Sequence, residues 1–241
     1  MLIHRLFASK DSGLRVLAIA FNAFLVASIA QGASITTTNL LTNPGAETGD
    51  ISGWIIGGSS NPSVDSGSFN PGIDPHSGDF DFYGHTGPFG TLSQTVDLIG
   101  DQGLTAADIN AGNLFADVSF WEQGLNQGTP SDEAQITLTF LDSAGATLDM
   151  ESTPLVDSHN LTWQNGSGAF PVPFGTTSVV YTMNFIRNVG SDNDSYIDDN
   201  SLIVSNNSLL TATPEPASFG LLLTSGILLS PLRWRKRSRA N

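Results

Sequence analysis

Carboxylates and aromatic rings are the side chains of this 241-residue chain that could do chemistry. There is no Gly-x-Ser-x-Gly elbow, no phosphate-binding glycine loop and no HExxH helix, so the familiar nucleophilic, nucleotide-dependent and zinc-hydrolase signatures are absent. There is no cysteine, which excludes disulfides and thiolate metal sites. Of 23 acidic residues all but Asp11 and Glu215 lie between positions 34 and 213, where Arg187 is the sole Lys or Arg. That segment carries a net charge near −20, against −14 for the whole chain. Nucleic-acid binding needs a basic footprint and is excluded. So much like charge repels itself unless cations offset it or water solvates it. With no thiolate available, an oxygen-ligated cation such as calcium is the metal this composition would take. A pair of these carboxylates could in principle hydrolyse a glycoside, but nothing in the sequence marks out two of them.

Four aromatic residues could stack on a sugar ring. Trp121 and Phe115 fall on the polar side of an alternating segment, and Tyr83 and Trp163 lie near loops. Trp54 reads as a core residue instead. His76, His85 and His159 are well separated and read as structural histidines.

The elements that must position these residues are strands. Leu114, Ala116, Val118 and Phe120 alternate with polar neighbours, as do Ala134, Ile136, Leu138 and Phe140, and Val179, Tyr181, Met183 and Phe185. Period two in short runs bounded by turn residues predicts half-buried antiparallel strands. Further strands are expected near 36–41, 53–57, 80–84, 91–98, 146–150, 160–163 and 195–204. Asp142-Ser143-Ala144-Gly145 is a turn, and Thr105 to Asp108 caps one short helix. Residues 61–75, rich in Pro and Gly, are expected to form a long exposed loop, and Asp192-Asn193-Asp194 an Asx-rich turn. The fold class is therefore all-β, an antiparallel sandwich or jelly roll.

The two ends of the chain read as export signals. Arg5, Lys10 and Arg15 precede an apolar run from Val16 to Ile29 and a small-residue exit, so residues 1–32 are expected to be a signal peptide removed by signal peptidase. Cleavage after Ala30 and after Gly32 both fit. A domain over 33–212 follows, then a tail over 213–241. The tail holds Pro214-Glu215-Pro216, an apolar helix over 217–232 and five basic residues from Arg233 to Arg239. It resembles the PEP-CTERM sorting signal of Gram-negative bacteria. That resemblance implies a transmembrane helix before processing, recognition by an exosortase, cleavage near Pro216, and residence at the cell surface or in the extracellular matrix.

The domain opens with Asn39-Leu40-Leu41-Thr42-Asn43-Pro44-Gly45-Ala46-Glu47 and Gly53-Trp54, and closes with Tyr196-Ile197-Asp198-Asp199-Asn200-Ser201-Leu202. These segments resemble the galactose-binding-like β-sandwiches, among them several carbohydrate-binding modules. The chain departs from them at Ala46, where an aromatic is usual, and at Asn200, where valine is usual. The resemblance implies a structural calcium joining the opening segment to the last strand, with Glu47 and Asp199 as ligands and Asp50 beside them. The expected function is that of an exported, non-catalytic structural or adhesive protein. The alternative is a carbohydrate-binding module that takes a polysaccharide, and a glycoside hydrolase comes last.

Overall fold

Alternating apolar residues become strands here because each strand has one face against a shared core and one face outward. A computed structural model describes residues 34–100, 103–158 and 162–209. In chain order the elements are β1 (Ile55–Gly58), β2 (Ser63–Asp65), β3 (Asp81–Thr86), β4 (Phe89–Asp97), α1 (Ala106–Asn110), β5 (Phe115–Gly124), β6 (Glu133–Leu141), β7 (Thr147–Ser152), β8 (Gln164–Pro171), β9 (Ser178–Ile186) and β10 (Asp192–Ser205). Among the described residues they form two antiparallel five-stranded sheets, ordered β1-β4-β9-β6-β7 and β2-β3-β10-β5-β8. We call the second the site sheet. The sheets close on one apolar core that includes Phe82, Leu92, Phe120, Ile136, Phe140, Tyr181, Phe185 and Leu202. The expected all-β sandwich is the observed fold.

Local chemistry accounts for the ends of elements. Thr105 caps α1, its hydroxyl accepting from the Asp108 N–H while the Asp108 carboxylate accepts from the Thr105 N–H. Asp142 closes the β6–β7 turn by accepting from the N–H groups of Ala144 and Ala146.

Four expectations need correction. Residues 36–41 do not form a strand of their own. They run along the end of β10, with Thr37 N–H on the Val204 carbonyl and Leu40 N–H on the Leu202 carbonyl, past the point where β3 stops. The strand expected at 160–163 lies instead at β8, 164–171, where glycines mask the alternation. Gly166 and Gly168 are required there, because a Cβ on either would come within 2.3 and 2.5 Å of the Phe120 and Phe170 rings. The Asx turn at 192–194 is the start of β10. Segment 61–75 is no free loop: it contains β2, and Ile73 within it is fully buried on Tyr83 and Tyr196. The signal peptide over 1–32, Pro214-Glu215-Pro216 and the helix over 217–232 lie outside the described residues. Among those described, no helix is long and apolar enough to cross a membrane.

β10 is the strand that organises the site. Its register against β5 slips between Asp198 and Ser201, so Asp199 and Asn200 together oppose Phe120. This is a β-bulge, and Asp199 takes the left-handed conformation within it, φ 49°. The extra residue turns Asp199 outward and Asn200 inward. Buried Asn200 accepts from the Tyr181 hydroxyl at 2.9 Å and donates from both its side-chain and backbone nitrogens to the Pro44 carbonyl. Asparagine thus stands at this position as a satisfied polar bridge between the opening segment and the core.

Candidate functional site

Cross-strand pairing sets one row of side chains across the outer face of the site sheet. Asp65 of β2 opposes Asp81 of β3, Asp198 of β10 opposes Trp121 of β5, and Trp121 opposes Asn165 of β8. The β3–β10 register, Tyr196 to Tyr83 and Ile197 to Phe82, continues to bring Asp198 opposite Asp81. Paired residues share a face, so the order across the sheet is Asp65, Asp81, Asp198, Trp121, Asn165. Val64, Phe82, Ile197 and Phe120 alternate with them and point into the core.

Residues 66–80, between β2 and β3, roof this face. Asp65 Oδ1 accepts from the N–H and hydroxyl of Ser68 and from the Phe69 N–H. Asn70 donates to Asp194 and to the Tyr196 hydroxyl, both at 2.7 Å. Ser77 N–H donates to Asp198 at 3.0 Å, and the Ser77 hydroxyl donates to Asp199 at 2.7 Å.

The roof delivers His76 to the aromatic end of the row. The His76 ring stacks on Trp121 with centroids 4.1 Å apart and meets Trp163 edge-on at 5.6 Å. Its Nδ1 lies 2.6 Å from Asp199 Oδ2, and the Trp163 indole N–H donates to the Asp74 carbonyl. Trp121 and Trp163 are both half-buried, while Gln164 and Asn165 beside them are exposed. A depression of about 350 Å³ lies along the first half of β8, lined by Pro154, Leu155, Gln164 and Asn165 among others. Another depression lies at Thr42, Gly53 and Gln94, and none of the candidate residues lines either one.

The other two sugar-stacking candidates do not join this cluster. Tyr83 is 7% exposed, beneath Ile73 and between the rings of Phe69 and Tyr196, so its ring faces are used within the protein. Phe115 is half-buried at the other end of β5, paired with Pro171 and Ser205. Six residues of strand put it about 20 Å from Trp121.

Of the carboxylates expected to hold calcium, Glu47 and Asp199 engage the same roof. Glu47 accepts from the N–H groups of Asp79 and Phe80, and Asp199 holds His76 and Ser77. Asp198 joins them. A Cβ built on Gly45 would lie 3.1 Å from Asp198 Oδ1, 3.6 Å from Asp199 Oδ1 and 3.8 Å from Glu47 Cγ. Gly78, at the left-handed φ of +65°, lies directly against Glu47: a Cβ there would sit 2.3 Å from the carboxylate and displace it. Asp50 stays apart: it is exposed and closes its own turn through Thr48 and Ser52, whose hydrogen bonds, Ser52 foremost, lower its pKa. Among the described residues no three His, Asp or Glu side chains converge on one point. The oxygen donors of Glu47, Asp198 and Asp199 suit a calcium ion only if backbone carbonyls and water complete the shell.

Sequence reasoning missed three acids and undervalued one histidine. Asp198 is fully buried; desolvation, with Asp199 and Glu47 adding their charge against two backbone hydrogen bonds, raises its carboxyl to about 7. The Tyr-Ile-Asp-Asp alternation could have placed it on the outer face. Asp81 is marked the same way, by standing between Phe80 and Phe82 in an alternating run. Glu122 is buried on the core side of β5. Alternation with Phe120 puts it there, but a buried acid is a low-prior reading. His76 carried no signal, because its partner Trp121 is 45 positions away.

Comparison with known proteins adds to this at the level of fold. No protein-family model matches the chain, and no curated protein matches it. Among solved structures, the carbohydrate-binding module TmCBM61, determined with β-1,4-galactotriose, is 23% identical, with a TM-score of 0.48 over 68% of this chain and 97% of that one. The CBM22-1 xylan-binding domain of Paenibacillus barcinonensis Xyn10C is 14% identical, with a TM-score of 0.42 over 72% and 95%. A Stig cyclase from Fischerella sp. TAU is 12% identical, with a TM-score of 0.47 over 73% and 100%.

Proposed function

We propose that the folded domain is a non-catalytic carbohydrate-binding module that takes a polysaccharide on the outer face of the site sheet. One observation carries the reading: half-exposed Trp121 is stacked on by His76, which also meets half-exposed Trp163 edge-on, with Asn165 exposed opposite Trp121 on β8. A sugar ring has an apolar C–H face and a polar rim, so it stacks on an indole while its hydroxyls reach an amide such as Asn165, which shares the face of Trp121. The bracing means that little side-chain entropy is lost on binding. The absence of a catalytic signature in the sequence supports binding without cleavage. The carbohydrate-binding modules among the structural relatives make β-1,4-galactan and xylan the first probes. The test is affinity electrophoresis of the full-length chain through gels containing each polysaccharide, with reducing-end release measured in parallel. Retardation without release supports the module. Release by stringently purified protein would replace it with a hydrolase.

The ends of the sequence supply the address. The Pro214-Glu215-Pro216 tail and the basic leader support export through the inner membrane and sorting by an exosortase to the cell surface or extracellular matrix of a Gram-negative bacterium. There, carbohydrate binding would serve a structural or adhesive role. A structural calcium held by Glu47, Asp199 and Asp198 would tie the opening segment to β10 and to the roof that carries His76.

A further inference from the structure

Asp81 is fully buried, and neither of its carboxylate oxygens meets a hydrogen-bond partner among the described residues. A carboxylate in that state costs several kcal/mol unless its charge is neutralised. Its surroundings add to the cost. Asp65, itself buried, stands directly opposite it, Asp198 follows in the same row, and Asp74 belongs to the roof. Desolvation, then the charges of Asp65, Asp198 and Asp74, push the Asp81 carboxyl up to about 9. Among the described residues no lysine or arginine relieves this. Arg187 is the only Lys or Arg between positions 34 and 209, and its guanidinium donates to the Ser191 carbonyl.

A proton or a metal ion could neutralise the site, and the geometry favours the ion. One proton neutralises one acid of the row, whereas a divalent cation neutralises two. Asp65 is held by the turn on its Oδ1, while its Oδ2 accepts only a 3.2 Å bond from the Phe69 N–H and has capacity for a second partner. Cross-strand partners have Cβ atoms about 5 Å apart, which lets one ion with bonds of about 2.4 Å bridge both carboxylates.

We propose that Asp65 and Asp81 hold a divalent cation of the calcium class between β2 and β3, beneath the roof formed by residues 66–80. No third acidic or histidine side chain closes on the pair among the described residues, so water and backbone carbonyls complete the shell. The site is separate from Glu47, which grips the far end of the roof at Asp79 and Phe80. It does not depend on the carbohydrate reading. It does give the roof, and with it His76 on Trp121, a second fastening.

The test is calorimetric titration of chelator-stripped full-length chain with calcium chloride, with bound calcium per chain counted by elemental analysis. Asp81→Asn and Asp65→Asn, each near-isosteric, should each lose one bound calcium per chain relative to wild type. Glu47→Gln should keep that ion, so that adding Asp81→Asn to Glu47→Gln removes one further calcium per chain. Wild-type chain without saturable calcium uptake overturns the proposal. So does either aspartate variant that folds and keeps the wild-type stoichiometry and affinity, or a Glu47→Gln/Asp81→Asn double variant that binds as much calcium as Glu47→Gln alone.

Discussion

Replacing Glu122 by glutamine should flatten the pH dependence of stability, because burial holds a proton on this carboxyl that the unfolded chain releases. Glu122 is fully buried on β5, with Oε2 accepting from the Ser158 N–H at 3.0 Å and Oε1 without a partner. Burial, with smaller contributions from Asp157 and Glu133 and against the Ser158 bond, raises its pKa from the ordinary 4.5 to about 9. Between those values the folded chain keeps a proton that the unfolded chain has released. The group's contribution to stability is therefore full below pH 4.5 and declines as pH rises toward 9. The decline is about 1.4 kcal/mol per pH unit, or about 4 kcal/mol between pH 5 and 8. Glutamine stays neutral throughout and keeps an oxygen for the Ser158 N–H. Urea unfolding followed by tryptophan fluorescence at each pH gives the difference between variant and wild type, and the common slope from other acids cancels. The variant should gain on wild type by about 4 kcal/mol from pH 5 to 8. Parallel stability curves would refute the burial argument.

Other consequences can be measured. Calcium should raise the melting temperature of the full-length chain above that in sodium chloride of matched ionic strength, and Glu47→Ala or Asp199→Ala should reduce that gain. An equal effect of the two salts would remove calcium from the account. Asn200→Val leaves the buried Tyr181 hydroxyl without its partner and removes one of the two hydrogen bonds to the Pro44 carbonyl. It should cost about 1–3 kcal/mol in urea unfolding, and a neutral result would contradict the bridge. Intact-mass measurement of protein extracted from the native cell surface should show a chain beginning near Gln31 or Ala33 and ending near Pro216. Recovery of Arg233 to Arg239 on the surface form would end the exosortase reading.

The strands with clean alternation were legible in the sequence because each has one face in the core. β5, β6 and β9 appear where period two puts them, and the short helix follows its Thr105–Asp108 capping box. β8 was displaced because its glycines, chosen for close approach to Phe120 and Phe170, carry no hydrophobic pattern. The roof was least legible. Its composition is that of a loop, and only tertiary contact shows that Ile73 anchors it on Tyr83 and Tyr196. The site divided in the same way. Trp121 and Trp163 could be nominated by type and position, but His76 could not, since its role exists only once the roof folds over the sheet. Tyr83, nominated by the same reasoning, is covered by that roof.

The most direct test of the carbohydrate reading is the mobility of Trp121→Ala in polysaccharide gels beside wild type. The ring is half-buried and its stack with His76 is local, so the variant should fold and keep its mobility in gels without polysaccharide. Base and indole stacking energies in proteins fall near 1–3 kcal/mol, so the dissociation constant for β-1,4-galactan or xylan should rise about tenfold or more. Wild-type retardation that Trp121→Ala abolishes, while Phe115→Ala preserves it, is the expected result. Retardation unchanged in Trp121→Ala, or absent from wild type on every polysaccharide, would contradict the assignment of this face as the binding site.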